Sequence, residues 1–437
     1  MVIFVGKPGT QVPIDPAAEA ARAALKDKAP VVLLTGRAGT GKSWFIRELV
    51  RKDPLTPQVV LAPTGLAAMN IGGQTIHSFF GFPPRPLIGL DDKPNWFFTK
   101  NVRVLKRIIV DEISMLRADV LDAMDKRLRQ ARKSVQPFGG VQMLLVGDFY
   151  QLPPVVRGEE GRLLEDAGYS SAYAFAAHSL REAIVSHYEL TEIRRQTDPV
   201  FIDLLQSLRD RRRVEDAVES LNAECYSAPA LPSPVLLTAT NSVADQYNAR
   251  GLAALPGAAQ VFEGALQGDV PKSGAPSDRL PAPMQLALKR GARVIFTQND
   301  AEARWVNGTL GTVTALGGET VSVRIDGAEE DVEVARSSWP QQRWTFDEKT
   351  QTMKAEEQFR FLQFPLAPAW AITIHKAQGM TLEAVEVDLG RGAFAPGQTY
   401  VALSRATSLA GLRLTRPLSP RDVQVDPTIA EGLARFD

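Results

Sequence analysis

The stretch Gly36-Arg37-Ala38-Gly39-Thr40-Gly41-Lys42-Ser43 constrains this chain more than any other feature. It satisfies the phosphate-loop pattern G-x-x-x-x-G-K-[ST] at every fixed position. An apolar run, Val31-Val32-Leu33-Leu34, precedes it and reads as a buried strand. An amphipathic segment, Trp44 to Arg51, follows and reads as a helix. A strand–loop–helix unit is the context in which this motif works. Glycines let backbone N–H groups turn inward around phosphate oxygens, and the helix N-terminus adds a favourable dipole. Gly36, Gly39, Thr40, Gly41, Lys42 and Ser43 are therefore nucleotide-binding candidates. In this pattern Lys42 is expected to reach the β- and γ-phosphates and Ser43 to hold Mg²⁺.

Short apolar runs alternate with helical patterns through the first ~180 residues. Val59-Val60-Leu61-Ala62, Arg107-Ile108-Ile109-Val110 and Gln142-Met143-Leu144-Leu145-Val146 each end at a polar or glycine-rich motif. Such runs predict a parallel sheet covered on both faces, with ligands gathered at the C-terminal strand ends. Residues 80–100 interrupt the pattern with Gly81-Phe82-Pro83-Pro84-Arg85-Pro86 and Asp91-Asp92-Lys93-Pro94-Asn95-Trp96, an irregular insertion. A second α/β pattern begins near residue 180. Residues 256–284 read as a long loop rich in Gly, Pro, Ala and Ser. From 292 to about 364 the pattern is β, with a hairpin around Gly317-Gly318.

The expected organisation is 1–180, a first α/β domain with its insertion; 181–297 and 364–437, the two parts of a second; and 298–363, a small β-barrel inserted into that second domain. The length of 437 residues allows about two to four domains. A single cysteine, Cys225, excludes an intramolecular disulfide and suits a reducing compartment. No secretory leader is read at the N-terminus and no membrane-length apolar run occurs, so a cytoplasmic protein is expected, nucleoid-associated if bacterial. Net charge is zero. That counts against a uniformly basic nucleic-acid binder but leaves room for a basic groove.

Several further residues suit nucleotide hydrolysis. Asp111, after the strand ending at Val110, is placed to hold Mg²⁺, and its neighbour Glu112 to accept a proton from attacking water. Gln151, in Gly147-Asp148-Phe149-Tyr150-Gln151-Leu152-Pro153-Pro154, carries both a donor and an acceptor and can sense the γ-phosphate. Arg195 and Arg405 are expected to project transition-state charge from the second domain.

These stretches, taken in order, resemble the PIF family of superfamily 1 DNA helicases, whose cousins include RecD and Dda. The matching segments are Gly36–Ser43; Ala62-Pro63-Thr64-Gly65-Leu66-Ala67-Ala68; Gly73-Gln74-Thr75-Ile76-His77-Ser78-Phe79-Phe80; Asp111-Glu112-Ile113-Ser114-Met115; and Pro137-Phe138-Gly139-Gly140 leading into Gly147–Pro154. Arg195-Gln196, Thr240-Asn241, Val306-Asn307-Gly308-Thr309, the run Ala371 to Thr381, and Tyr400-Val401-Ala402-Leu403-Ser404-Arg405 follow.

The resemblance implies an α/β fold of two RecA-like P-loop domains with parallel sheets and ATP between them. It also implies a small irregular insertion acting as a wedge, and an SH3-like β-barrel insertion. It implies 5′-to-3′ translocation on single-stranded DNA, unwinding of duplex junctions and G-quadruplex DNA, and work in replication, repair or recombination. It casts Lys42, Glu112, Gln151, Arg195 and Arg405 as catalytic, Ser43 and Asp111 as Mg²⁺ ligands, and Gly379 as a coupler of ATP to DNA movement. It places DNA contacts at Thr64, His77, Ser78, Phe79, Asn241, His375 and Lys376. Hydroxyls, amides and a lysine suit phosphates, and an aromatic suits bases. A monomer is expected, since one chain carries both halves of the ATP site. The alternative is a translocase that strips proteins from single strands with little unwinding.

Two departures stand out. The helix that in superfamily 1 carries an adenine-reading glutamine here reads Asp15-Pro16-Ala17-Ala18-Glu19-Ala20-Ala21, which leaves Gln11 as the upstream substitute. The aromatic usual before the Arg-Gln pair is Arg194.

Overall fold

The computed structural model describes residues 15–436, except 84, 90–93, 95, 269–279, 303 and 348–351. Gln11 and parts of the 80–100 insertion therefore lie outside the described residues.

Six strands form the first sheet: β1 (Val31–Gly36), β2 (Gln58–Ala62), β3 (Gln74–Thr75), β4 (Arg107–Val110), β5 (Gln142–Gly147) and β6 (Val185–Leu190). Their spatial order is β3-β2-β4-β5-β1-β6, parallel throughout. Side-chain alternation explains the unbroken apolar runs. Val31, Leu33, Leu61 and Val110 enter one core, while Val32, Leu34, Val60 and Ile109 enter the other. A strand buried on both faces has no polar side to show.

Helix α1 (Pro16–Lys26) covers one face with Ala18, Ala21 and Leu25. Its cap Asp15 accepts from Ala17 N–H with one oxygen, and from Thr191 and Glu192 N–H with the other. One carboxylate thus starts the helix and anchors the chain leaving β6.

The second sheet is also parallel. It runs Ala371–Thr373, Val235–Thr238, Val385–Asp388, Leu412–Leu414 in space. Between its first two strands in sequence the chain departs to build a five-stranded antiparallel sheet. That sheet contains Arg293–Phe296, Leu310–Leu316, Thr320–Ile325, Asp331–Ala335 and Leu366–Pro368 around Phe296, Trp305, Val313 and Val323. It stands in the place expected for the SH3-like barrel. A long hairpin, Ser337–Asp347 with Thr352–Gln363, extends from it.

Four expectations need correction. Val185–Leu190 extends the first sheet past the expected boundary at 180; being a half-buried edge strand, it shows no apolar run. The loop expected at 256–284 contains strands Gln260–Glu263 and Ala265–Gly268. They pair with Gln285–Leu288 and with the long hairpin, and their exposed faces leave little pattern to read. The 80–100 insertion is partly core, since its own Phe82, Leu87 and Phe98 are buried in the first domain. Finally, the C-terminal helix Thr428–Ala434 leaves the second domain. Ile429 enters the first domain's core with Leu433 and Phe436 against it. A Cβ on Gly432 would stand 2.4 Å from the Phe175 ring.

Candidate active site and nucleic-acid cleft

The phosphate loop connects β1 to helix α2 (Lys42–Lys52). Gly41 caps α2 at φ +90° and Gly39 lies at φ +83°, both in the left-handed region that favours glycine. Lys42 Nζ donates to the carbonyls of Gly36 (2.7 Å) and Arg37 (2.8 Å). Burial lowers the Lys42 pKa against the pull of Asp148, Glu112 and Asp111. Thr40 Oγ1 donates to Arg37 O, and Ser43 is exposed at the first turn of α2.

Asp111 and Glu112 leave the end of β4. Asp111 Oδ1 accepts from Glu112 N–H (2.9 Å), and Glu112 itself sits at φ +53°, an uncommon conformation for a residue with a side chain. The turn packs tightly onto β5: a Cβ on Gly147 would lie 2.9 Å from Ile113 N. Burial, then the neighbouring Glu112 charge, pushes Asp111 up to about 7. Burial also raises Glu112, opposed by Lys42 and Arg405. Both acids thus occupy a site that favours an added positive charge.

Groups from the second domain reach across. Gln378 Nε2 donates to Glu112 Oε2 (3.0 Å) and to Gln151 Oε1 (3.4 Å). Arg405 is fully buried, with its guanidinium on Val401 O and Ser404 Oγ. Burial, then Arg195, presses Arg405 down to about 9, and burial lowers Arg195 to about 10. Arg195 does not come from the second domain as expected. It follows β6, and the preceding residue's N–H bonds Gly39 O (2.9 Å). From there Arg195 Nη1 donates to Ser404 O (3.1 Å), and Gln196 Nε2 to Ser404 O and Ala406 O. The structure therefore gathers Lys42, Glu112, Gln151, Arg195 and Arg405 into one seam.

A cleft of about 1230 Å³ opens beside this seam. Thr64 and His77 line it from the first domain, Asn241 and Lys376 from the second, with Arg85, Arg117 and Arg157 among its walls. Asn241 opens the helix Asn241–Ala254 behind its cap Thr240, so helix-end N–H groups face the same region. Ser78 is exposed and accepts from Gln74 Nε2. His375 is half-buried outside the lining, and burial lowers its pKa. Gly379 is exposed at φ +83° on the turn that carries Gln378.

Phe79 departs from expectation. Its ring packs edge-on against Phe80 and Phe98, 5.1 Å and 5.7 Å between centroids, and joins the first core. It is a packing residue rather than a free stacking platform. Sequence reading missed Gln378, Tyr400, Asp148 and Arg209. The first three sit inside quoted motifs, but nothing in their spacing marks which side chains cross the seam. Among the described residues no helix is long and apolar enough to cross a membrane.

Two parallel α/β sheets meeting at a phosphate loop, with acids on one side and an arginine and glutamine on the other, define the two-domain P-loop fold of the RecA-like class. The model for "PIF1-like helicase" matches residues 17–216. The chain is 34% identical to the ATP-dependent DNA helicase Pif1 of Bdellovibrio bacteriovorus, over 93% of this chain and 88% of that protein. It is 36% identical to the ATP-dependent DNA helicase PIF1 of Danio rerio over 91% of this chain. The chain spans about 60% of the length of that zebrafish relative. The crystal structure of Bacteroides sp Pif1 in complex with ADP-AlF4 superposes with a TM-score of 0.87 at 31% identity, covering 97% of each chain. The same protein bound to ssDNA gives 0.71. The chain belongs to the PIF1-like helicase family.

Proposed function

We propose that this chain is an ATP-dependent DNA helicase that moves 5′-to-3′ on single-stranded DNA and opens duplex junctions. One observation carries the reading: the nucleotide seam and the cleft lined by Thr64, His77, Asn241 and Lys376 are shared by the same two domains. Closure around nucleotide then alters the distance between DNA contacts on either side of the cleft, which is how a two-domain motor steps. The relatives named as ATP-dependent DNA helicases and the Bacteroides complexes with ADP-AlF4 and with ssDNA support it.

In this reading Lys42 binds phosphate, Glu112 accepts the proton of water, Gln151 orients that water, and Arg195 and Arg405 offset charge on the γ-phosphoryl group. Gly379 lets the Gln378 turn follow closure. Ser43 and Asp111 supply hard oxygens that suit Mg²⁺, and the burial of Asp111 beside Glu112 sets two acids where a cation would offset their charge. Held there, Mg²⁺ would supply positive charge against the phosphates of a bound nucleotide. Thr64, His77, Asn241 and Lys376 hold DNA phosphates, with Ser78 and His375 contributing at the margin of the cleft. The expected form is an intracellular monomer, and G-quadruplex DNA is a further substrate.

The test is strand separation with ATP and Mg²⁺ on duplexes carrying a 5′ or a 3′ single-stranded tail. Unwinding from the 5′ tail alone supports helicase activity and polarity together, and Lys42→Ala abolishes it. Unwinding from the 3′ tail alone overturns the polarity. DNA-stimulated hydrolysis without unwinding favours the single-strand translocase.

A further inference from the structure

The Tyr400 hydroxyl lies in the seam, bonded firmly to the phosphate loop and more loosely to a buried carboxylate. Tyr400 belongs to the helix Gln398–Leu403 of the second domain and is buried. Its oxygen accepts from the phosphate loop's Ala38 N–H at 2.9 Å. Its proton points to Asp148 Oδ2 at 3.5 Å. Asp148 leaves β5 in the first domain and is fully buried. Its other oxygen accepts from Arg209 Nη2 at 3.2 Å. Arg209 ends the helix Pro199–Arg209, whose Phe201, Leu204, Leu205 and Leu208 pack in the second domain's core.

Read along the seam, the groups alternate by domain: Ala38, Tyr400, Asp148, Arg209. A buried carboxylate is costly unless it is paired. Two of the donors to Asp148, the Arg209 guanidinium at 3.2 Å and the Tyr400 phenol at 3.5 Å, come from the opposite domain. Gln151 Nε2 at 3.4 Å and Tyr150 N–H at 3.2 Å donate from its own side. The two cross-domain contacts are made together when the domains close and lost together when they part, which leaves Asp148 its own-domain donors alone. Ala38 lies in the outer turn of the loop, between the Gly36 carbonyl that holds Lys42 and the Gly39 carbonyl that holds the Arg194 N–H. Tyr400 therefore braces the loop segment that positions the lysine. It stands five residues before Arg405, so the same contact fixes the register of that arginine.

We propose that Tyr400 is a positioning residue for nucleotide hydrolysis, its hydroxyl coupling closure of the second domain to the shape of the phosphate loop, with Asp148 as acceptor and Arg209 as counter-charge. The inference rests on the reading of this seam as the hydrolytic site. It goes beyond the arginine-finger role of the same motif, because it acts on the loop rather than on the transferring phosphoryl group.

Tyr400→Phe keeps the ring and removes only the hydroxyl. Loss of one hydrogen-bonded bridge to a charged group predicts a fall in DNA-stimulated kcat of about tenfold. KM for ATP should stay within about twofold, the signature of an interaction made in the closed, reacting state. The melting temperature should be unchanged. Small-angle scattering supplies a readout besides turnover: ADP with aluminium fluoride should compact the wild type and compact Tyr400→Phe less. Wild-type kcat in Tyr400→Phe overturns the proposal. So does a lowered kcat with a matching fall in melting temperature and full compaction, since that pattern is lost packing alone. A wild type without DNA-stimulated hydrolysis sinks the helicase reading instead, and the scattering comparison still judges the latch.

Discussion

Gln378 Nε2 stands 3.0 Å from Glu112 Oε2, so a second-domain amide holds the carboxylate proposed to activate water. Glu112 is already fixed by its backbone at φ +53°, which costs on the order of 1 kcal/mol and persists because the surrounding turn is tightly packed. Gln378 supplies the remaining restraint. Gln378→Ala should lower kcat about 10- to 100-fold with a smaller change in KM, the range for a hydrogen bond to a charged group. Glu112→Gln should lose about 10²- to 10⁴-fold in kcat while retaining nucleotide binding. Steady-state ATPase assays and a fluorescent-nucleotide titration check both.

The nucleotide half of this site was legible in the sequence and the cross-seam half was not. Lys42, Ser43, Asp111 and Glu112 follow apolar strands that announce themselves as buried runs, so motif and placement agree. Gln378, Tyr400 and Arg209 act through contacts spanning some 60 to 360 residues of chain, a separation no local pattern encodes. Phe79 shows the converse. Its motif neighbourhood suggested a base-stacking ring, but its partner Phe98 lies in an insertion whose fold the sequence left unread.

Gly39 is the tightest point between the phosphate loop and the segment after β6. A Cβ there would lie 2.7 Å from Arg195 Cβ, at φ +83°. Gly39→Ala therefore strains the backbone and displaces Arg195 from Ser404. Nucleotide affinity and kcat should both fall, by tenfold or more if about 1–3 kcal/mol of strain is released into the loop. An unchanged kcat would show that Arg195 plays no part in turnover.

Phe79→Ala should behave as a core truncation. The ring is partly buried, so a loss of about 3 kcal/mol, the low end for phenylalanine, is expected by chemical denaturation. Affinity for single-stranded DNA, measured by anisotropy under conditions where the variant is folded, should change little. A selective loss of DNA binding at wild-type stability would restore the stacking role.

The C-terminal helix ties the second domain's chain end to the first domain's core through Ile429. Gly432→Leu has no room, with Phe175 ring carbons 2.4 Å from its Cβ position. The helix should be expelled, exposing Ile429, Leu433 and Phe436. The expected outcome is greater protease sensitivity after Pro427 and a lower melting temperature. Ile429→Ala, which keeps the backbone path, should cost about 2–4 kcal/mol without expelling the helix.

His375 supplies a pH test whose sign is fixed. Burial lowers its pKa below 6.5 in the folded state, while the unfolded chain keeps the ordinary value. As pH falls through about 6.5, the unfolded state therefore binds a proton that the folded state resists, and stability drops. The contribution of a neutral His375 is present above that window and is lost progressively toward the lower, folded-state pKa. His375→Asn removes the titration. The difference in unfolding free energy between wild type and variant, measured by denaturant titration from pH 8 to pH 5, should be flat at the upper end and move against the wild type at the lower. A difference that stays flat throughout would mean that His375 protonates as readily in the folded protein as in the unfolded chain.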